Sequence, residues 1–219
     1  MTIGIIGICV LFFLFSFLSA PAVLQLLGLT KINASLLWFS RGLCWLILAI
    51  LWLYTRKVEK QKLLLWEEKP YDFLQYLLSI ITILITMLLL LIAIGIFIKL
   101  TGLNKSSAKM IELLAIFKKN KLLVLFTALT AGIVEEFIFR GYMQPRLDII
   151  FKNPYVAILL SSLLFGLLHI GYGTLVNVIG PFLIGLIFAC YYWKFRNIKV
   201  LIICHFLWDF VLIYLQSLK

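Results

Sequence analysis

The chain has 219 residues, 64% of them hydrophobic, with a mean hydropathy of +1.12 and a formal net charge of +11. A soluble domain is about 45–50% apolar and must still cover itself with polar surface, so this composition excludes a water-soluble globule and leaves the bilayer as the solvent. The positive charge does not indicate nucleic acid, because Lys and Arg fall mostly between apolar runs, where they anchor helix ends against anionic headgroups.

Apolar runs fall at 3–29, 33–54, 72–99, 121–145, 154–171, 174–193 and 198–217. Backbone polar groups find no water in a bilayer, so each run must be a helix. The predicted fold is an all-α polytopic transmembrane bundle of about seven spans, at roughly 20 residues per span. The number becomes eight if 104–119 inserts. The first run lacks a basic leading region, and Pro21 would follow a cut after Ala20, so it reads as a span rather than a signal peptide. Residues 55–71, which mix Lys57, Lys60 and Lys62 with Glu59, Glu67 and Glu68, read as a charged loop. In 104–119, Met110, Ile111, Leu113, Leu114 and Ile116 alternate with Lys109, Glu112, Lys118 and Lys119, the pattern of an interfacial helix. Residues 153–193 carry no Asp, Glu, Lys or Arg and exceed one span, and Gly171-Tyr172-Gly173 is the natural turn within them.

The whole chain, 1–219, reads as a single integral membrane domain, with 1–120 giving the N-terminal spans and surface helix and 121–217 the core helices. A slight excess of Lys and Arg on one side favours a cytoplasmic N-terminus. Cys9, Cys44, Cys190 and Cys204 lie in apolar runs without metal or disulfide spacing and read as packing residues. Gly166, Gly173, Gly180 and Gly185 read as sites of close helix approach.

Within the apolar runs stand Glu135, Glu136, Arg140, His169, His205 and Asp209. A charge at the bilayer centre costs several kcal/mol, so such residues normally face a bundle interior and act there. Glu136 and Arg140 stand at i and i+4 and can pair, as can His205 and Asp209. Glu135 is rotated by about 100° from Glu136 and faces another neighbour. His169 stands one turn after Phe165 on a third helix. Three helices thus present polar groups at similar depth, enough for one shared cavity. Peptide hydrolysis there needs an activated water, a base for it and donors for the tetrahedral oxyanion. A carboxylate withdrawn from water is a stronger base, and a histidine beside it can share or orient the proton. No serine or cysteine stands at obvious spacing to a histidine–acid pair, which disfavours a covalent nucleophile.

Glu135-Glu136-Phe-Ile-Phe-Arg140 reads as EExxxR, Phe165-Gly-Leu-Leu-His169 as FxxxH, and His205-Phe-Leu-Trp-Asp209 as HxxxD. In this order, on successive membrane helices, the three motifs resemble the CAAX-protease and bacteriocin-processing (CPBP, or Abi) family of intramembrane proteases over roughly 120–217. The resemblance implies an endopeptidase in which Glu135 is the base on the water, assisted by His169. It places His205, with residue 209, at the oxyanion, and it gives Glu136 and Arg140 a supporting role. The last motif of the family often ends in Asn. Asp209 departs from it, and an ionised Asp accepts but cannot donate.

Family members are described both as glutamate-dependent and as metalloproteases. Glu, His, His and Asp could ligate zinc, but no HExxH is present, and the reading taken is no metal and no cofactor, with a divalent metal such as zinc left open. Asn177 and Phe165 are further candidates, Asn177 also being a plausible helix cap or bridge. The bland reading of Glu136 and Arg140 is a buried ion pair locking two helices. The expected partners are a peptide or membrane-protein substrate and the lipid bilayer, without nucleic acid, in a multi-pass protein of the cell membrane. The rivals are a proton-coupled transporter and a catalytically idle scaffold or immunity protein. The transporter would place polar residues in both halves of the chain, and those noted above fall in the C-terminal half.

Overall fold

The computed structural model describes residues 2–18, 32–103 and 107–218. Among them the fold is all helical, without strands. In chain order the helices are α1 (Thr2–Leu18), α2 (Ala34–Tyr54), α3 (Phe73–Thr101), α4 (Ala108–Lys119), α5 (Lys121–Phe151), α6 (Pro154–Tyr172), α7 (Val176–Phe195) and α8 (Ile198–Gln216). Helix α2 and helices α3 and α5 to α8 are long and apolar enough to cross a membrane, which makes six by length and composition. The first predicted run is helical over Thr2–Leu18, and its remainder lies outside the described residues. The interfacial segment is a 12-residue helix, too short to span.

Local chemistry sets the boundaries. Asn33, Ser107 and Asn197 each accept a backbone N–H in the first turn of the helix that follows, and Asp72 with Gln75 forms a capping box for α3. Left-handed Lys152 and Arg196 end α5 and α7 and are followed by Asn caps, so α5–α6 and α7–α8 are tight hairpins.

The 55–71 segment, read from the sequence as a charged loop, lacks regular structure over most of its length but is tied to the bundle. It opens with a π-helical turn over Thr55–Glu59, then folds back against the bundle. There Glu59 meets Arg146, and Glu68 accepts from the Tyr192 hydroxyl and the Ile198 N–H, each at 2.7 Å. Asp148 lies inside the last turns of α5.

Helix α5 is the axis of the bundle. Of its most apolar window 61% is buried, against 11% for α3, whose Leu77, Leu78, Ile85 and Leu89 point outward as a lipid-facing side. Val134, Ile138, Phe139, Tyr142 and Met143 of α5 pack with Cys44, Ile47 and Leu51 of α2 and Ala157 and Phe165 of α6. A second core joins Ile83 and Met87 of α3 with Phe188 and Tyr192 of α7 and Leu201 and Cys204 of α8. All four cysteines are free thiols: Cys44 and Cys204 pack in the cores as expected, Cys9 is half-buried against the first core, and Cys190 is exposed, against the packing role expected of it.

Candidate active site

Helix α5 is not regular where its charges stand. Two π-helical stretches, Ala131–Glu135 and Phe137–Met143, flank Glu136. Wide turns of this kind are rare and concentrate at functional sites, because they re-aim side chains within an otherwise rigid helix. Gly132 opens the way for α8. A Cβ there would lie 2.9 Å from the Ile202 carbonyl and 3.0 Å from the Phe206 nitrogen, so the backbones of α5 and α8 touch one turn before the glutamates. Gly166 does the same between α6 and α7, where a Cβ would meet the Val178 carbonyl at 2.9 Å. Gly180, expected to do likewise, faces open space.

That close approach delivers His205 to the glutamates. Its Nδ1 lies 2.8 Å from Glu136 Oε1, and a carboxylate can only accept, so Nδ1 carries the proton of this bond. Its Nε2 faces Glu135 Oε2 at 3.9 Å and Asp209 Oδ2 at 3.6 Å. Arg140 donates to Glu136 at 3.0 Å and to the Gly185 carbonyl at 3.3 Å. Its guanidinium lies 4.4 Å from the centre of the Phe165 ring. Phe165 is thus a hub. Its ring also meets those of His169 and His205, and its carbonyl lies 2.9 Å from His169 Nδ1. The carbonyl accepts, which leaves His169 Nε2 as the unprotonated nitrogen of the neutral ring.

Burial grades across the cluster. The side chains of Glu136 and Arg140 are 0% exposed and that of His205 is 6%, while Glu135 and Asp209 keep 22% and 29%. The sealed end therefore lies at Glu136 and Arg140, and the open end at Glu135 and Asp209. The structure offers no entry near Gln144 and Pro145, further along α5. Both residues are buried, and the Gln144 amide is tied to the Ala189 carbonyl at 2.9 Å.

Each residue that the motifs singled out lies in this cluster or lines it. Glu135 interacts by charge with His205, His169 and Asp209 together. Asn177 is different: it sits in the first turn of α7 with a buried Nδ2 lacking a hydrogen-bond partner, and no contact with the glutamates or histidines is seen.

The sequence reading missed two residues. Arg41, in the middle of α2, lies within charge range of Tyr172 and Glu135, and its Nε is buried without a hydrogen-bond partner. Tyr172 ends α6, with its ring 5.8 Å from that of His169. Arg41 corrects the view that intramembrane charge is confined to the C-terminal half. One arginine in a run of Leu, Trp and Ile leaves the window at a mean hydropathy of 1.9, so the hydropathy signal hides it. Looking for a lone cation inside a predicted span would have found it.

On the rim, α4 closes over the turn that ends α6, with the Ser107 hydroxyl donating to the Tyr172 carbonyl. Half-burial lowers the Lys109 ammonium from the usual lysine range, and Glu112 partly offsets this. Among the described residues no three His, Cys, Asp or Glu side chains are grouped so as to hold a metal ion. The site residues therefore do not form a recognisable ligand set, and no chemical step is assigned to a metal.

No curated protein and no solved structure matches the chain significantly. Residues 118–211, which hold the glutamates, both histidines and Asp209, match the family model for type II CAAX prenyl endopeptidase Rce1-like proteins. The matched segment, which covers less than half of the chain, is similar to the CAAX-type endopeptidases and lies within a bundle of apolar, membrane-length helices.

Proposed function

We propose that this protein hydrolyses a peptide bond of a peptide or membrane-protein substrate, at the cell membrane, with a water activated by Glu135. The observation that carries the reading is the contrast within the glutamate pair. Both carboxylates keep an Oε2 without a hydrogen-bond partner, but Glu136 is sealed and bonded through Oε1 to Arg140 and His205, whereas Glu135 is 22% exposed and makes no such bonds. A base must keep a free lone pair and reach the cavity, and Glu135 meets both conditions.

In the proposed sequence Glu135 takes a proton from water while the water oxygen bonds to the scissile carbonyl carbon. The carbonyl π pair moves onto oxygen. The tetrahedral species then collapses, and the amine leaves with the proton that Glu135 held. His169 Nε2 can accept a hydrogen bond from the same water and orient it. Asp209 fits best as a partner that orients His205, since its carboxylate faces the ring at 3.6 Å.

The test is cleavage of an internally quenched prenylated CAAX-type peptide and its unprenylated twin in detergent micelles, with products identified by mass. Wild-type protein should cut one of them, and Glu135→Gln should reduce the rate by about 10³-fold or more, the scale on which an essential base acts when removed. Full activity in Glu135→Gln would end the mechanism, and cleavage of neither peptide by wild type would end the CAAX-type substrate. Since no step uses a metal, dialysis against a strong chelator should leave the rate unchanged. A loss restored by zinc would overturn that part.

A further inference from the structure

The chain reversal after α2 leaves a groove of about 1130 Å³ between α2, the 55–71 segment and α5. It is lined by Trp45, Leu48 and Trp52 on α2, by Leu63 and Leu64 on the segment, and by Phe137 on α5. Its walls are fixed to one another. Trp45 Nε1 donates to Thr130 Oγ1 of α5 at 3.0 Å. Leu64 rests on α5 at Gly141, where a Cβ would lie 2.5 Å from its Cδ2. From Trp45 to Arg56 the chain advances roughly 16 Å at the helical rise. That is about half the hydrocarbon core of a bilayer, the depth that the acyl chains of one leaflet fill.

Charge at the outer end of the groove has one sign. Arg56, Lys60 and Lys62 line it where α2 turns into the segment, and all three are exposed. The Arg56 guanidinium stands 5.0 Å from the centre of the Trp52 ring. Glu59 is the one acid between Thr55 and Trp66, and its side chain is only 3% exposed. Its Oε1 accepts from the Tyr142 hydroxyl and its Oε2 from Arg146, so it is taken up inside the bundle. Among the described residues, no carboxylate forms an ion pair with Arg56, Lys60 or Lys62. A neutral lipid would leave these cations unmatched, and a soluble anion would leave the apolar length unfilled. A fatty chain joined to a negative headgroup satisfies both, with an indole at the level where the two meet.

We infer that this groove binds one anionic phospholipid, with an acyl chain along Trp45, Leu48 and Phe137 and the phosphate at Arg56, Lys60 and Lys62. The bound lipid braces α2 and the 55–71 segment against α5. None of its contacts is a residue of the glutamate–histidine cluster, so the inference does not depend on the hydrolytic reading. The alternative is a diffuse attraction of the segment's cations to the membrane surface. That attraction would treat Lys60 and Lys57 alike, whereas Lys57 is exposed and does not line the groove.

The experiment titrates purified full-length protein in detergent with phosphatidylglycerol and with phosphatidylcholine of the same chains, and counts bound lipids by native mass spectrometry. Wild type should retain one phosphatidylglycerol, about tenfold or more in preference to phosphatidylcholine, because more than one cation faces the headgroup. Lys60→Gln and Arg56→Gln should each weaken that binding about fivefold, the scale of one cation near an anionic surface. Lys57→Gln should leave it unchanged. Ala49 is an exposed groove residue, so Ala49→Phe fills the acyl path without altering charge and should weaken both lipids. Phosphatidylglycerol should also raise the melting temperature of wild type more than that of Lys60→Gln. Equal binding of the two lipids by wild type, or equal losses in Lys57→Gln and Lys60→Gln, would overturn the inference. Displacement of the retained phosphatidylglycerol by a prenylated CAAX-type peptide would overturn it too, since the groove would then hold a substrate tail.

Discussion

Helix α5 carries two buried Glu–Arg pairs, and they differ in what they leave unfinished. Arg146 meets Glu59 at 2.7 Å and spends its remaining donors on the carbonyls of Lys62, Leu63 and Tyr142. The Tyr142 hydroxyl donates to the other Glu59 oxygen. Arg140 meets Glu136 at 3.0 Å, yet its Nε and Glu136 Oε2 are buried without hydrogen-bond partners, as is Oε2 of the neighbouring Glu135. The first pair is a closed network that ties the 55–71 segment to the bundle. The second is open, with two histidines and a further carboxylate around it. Unsatisfied polar atoms cost stability, so the group of them in the middle of α5 marks where the fold gives up stability for chemistry.

Breaking each pair should separate the two roles. The largest effect on activity belongs to Glu135→Gln, with cleavage lost while melting holds or rises, because an under-satisfied carboxylate is removed. Next comes Arg140→Ala, which leaves Glu136 uncompensated at zero exposure. It should cost about 3–5 kcal/mol, the scale for breaking one side of a buried pair, and abolish cleavage as well. Arg146→Ala should cost a similar amount in melting. Its remaining activity per folded molecule should stay near wild type, which titration of folded protein by size-exclusion chromatography would establish. If Arg146→Ala lost activity faster than folded protein, the closed pair would not be purely structural.

The comparison also explains what the sequence could and could not disclose. EExxxR, FxxxH and HxxxD were legible because a charge in an apolar run is conspicuous and helical spacing converts it into a face. Phe165 was legible only as a letter in a motif. Its use as a ring for Arg140 and a carbonyl for His169 depends on how α6 meets α5. Glu59 was legible only as one charge of a loop, and its burial depends on a chain reversal at left-handed Lys60 that local composition does not signal. The π-helical stretches carry no signal in the local sequence; the first holds Gly132, where α8 comes within contact of the α5 backbone. Arg41 was hidden by averaging, and Tyr172 looked like part of a turn.

The smallest effect, and the sharpest test of the open cluster, is Asp209→Asn. If Asp209 serves mainly to orient His205, the Asn carbonyl can still accept from the ring, and the amide adds a donor that the carboxylate lacks. Cleavage should then change by no more than about tenfold, the lower end for a residue that orients an active group. The site loses one negative charge beside Glu135, so any gain should appear in kcat rather than KM. A loss well beyond that range would mean that the negative charge at 209 is needed for its own sake. The open end of the cluster would then depend on two carboxylates acting together.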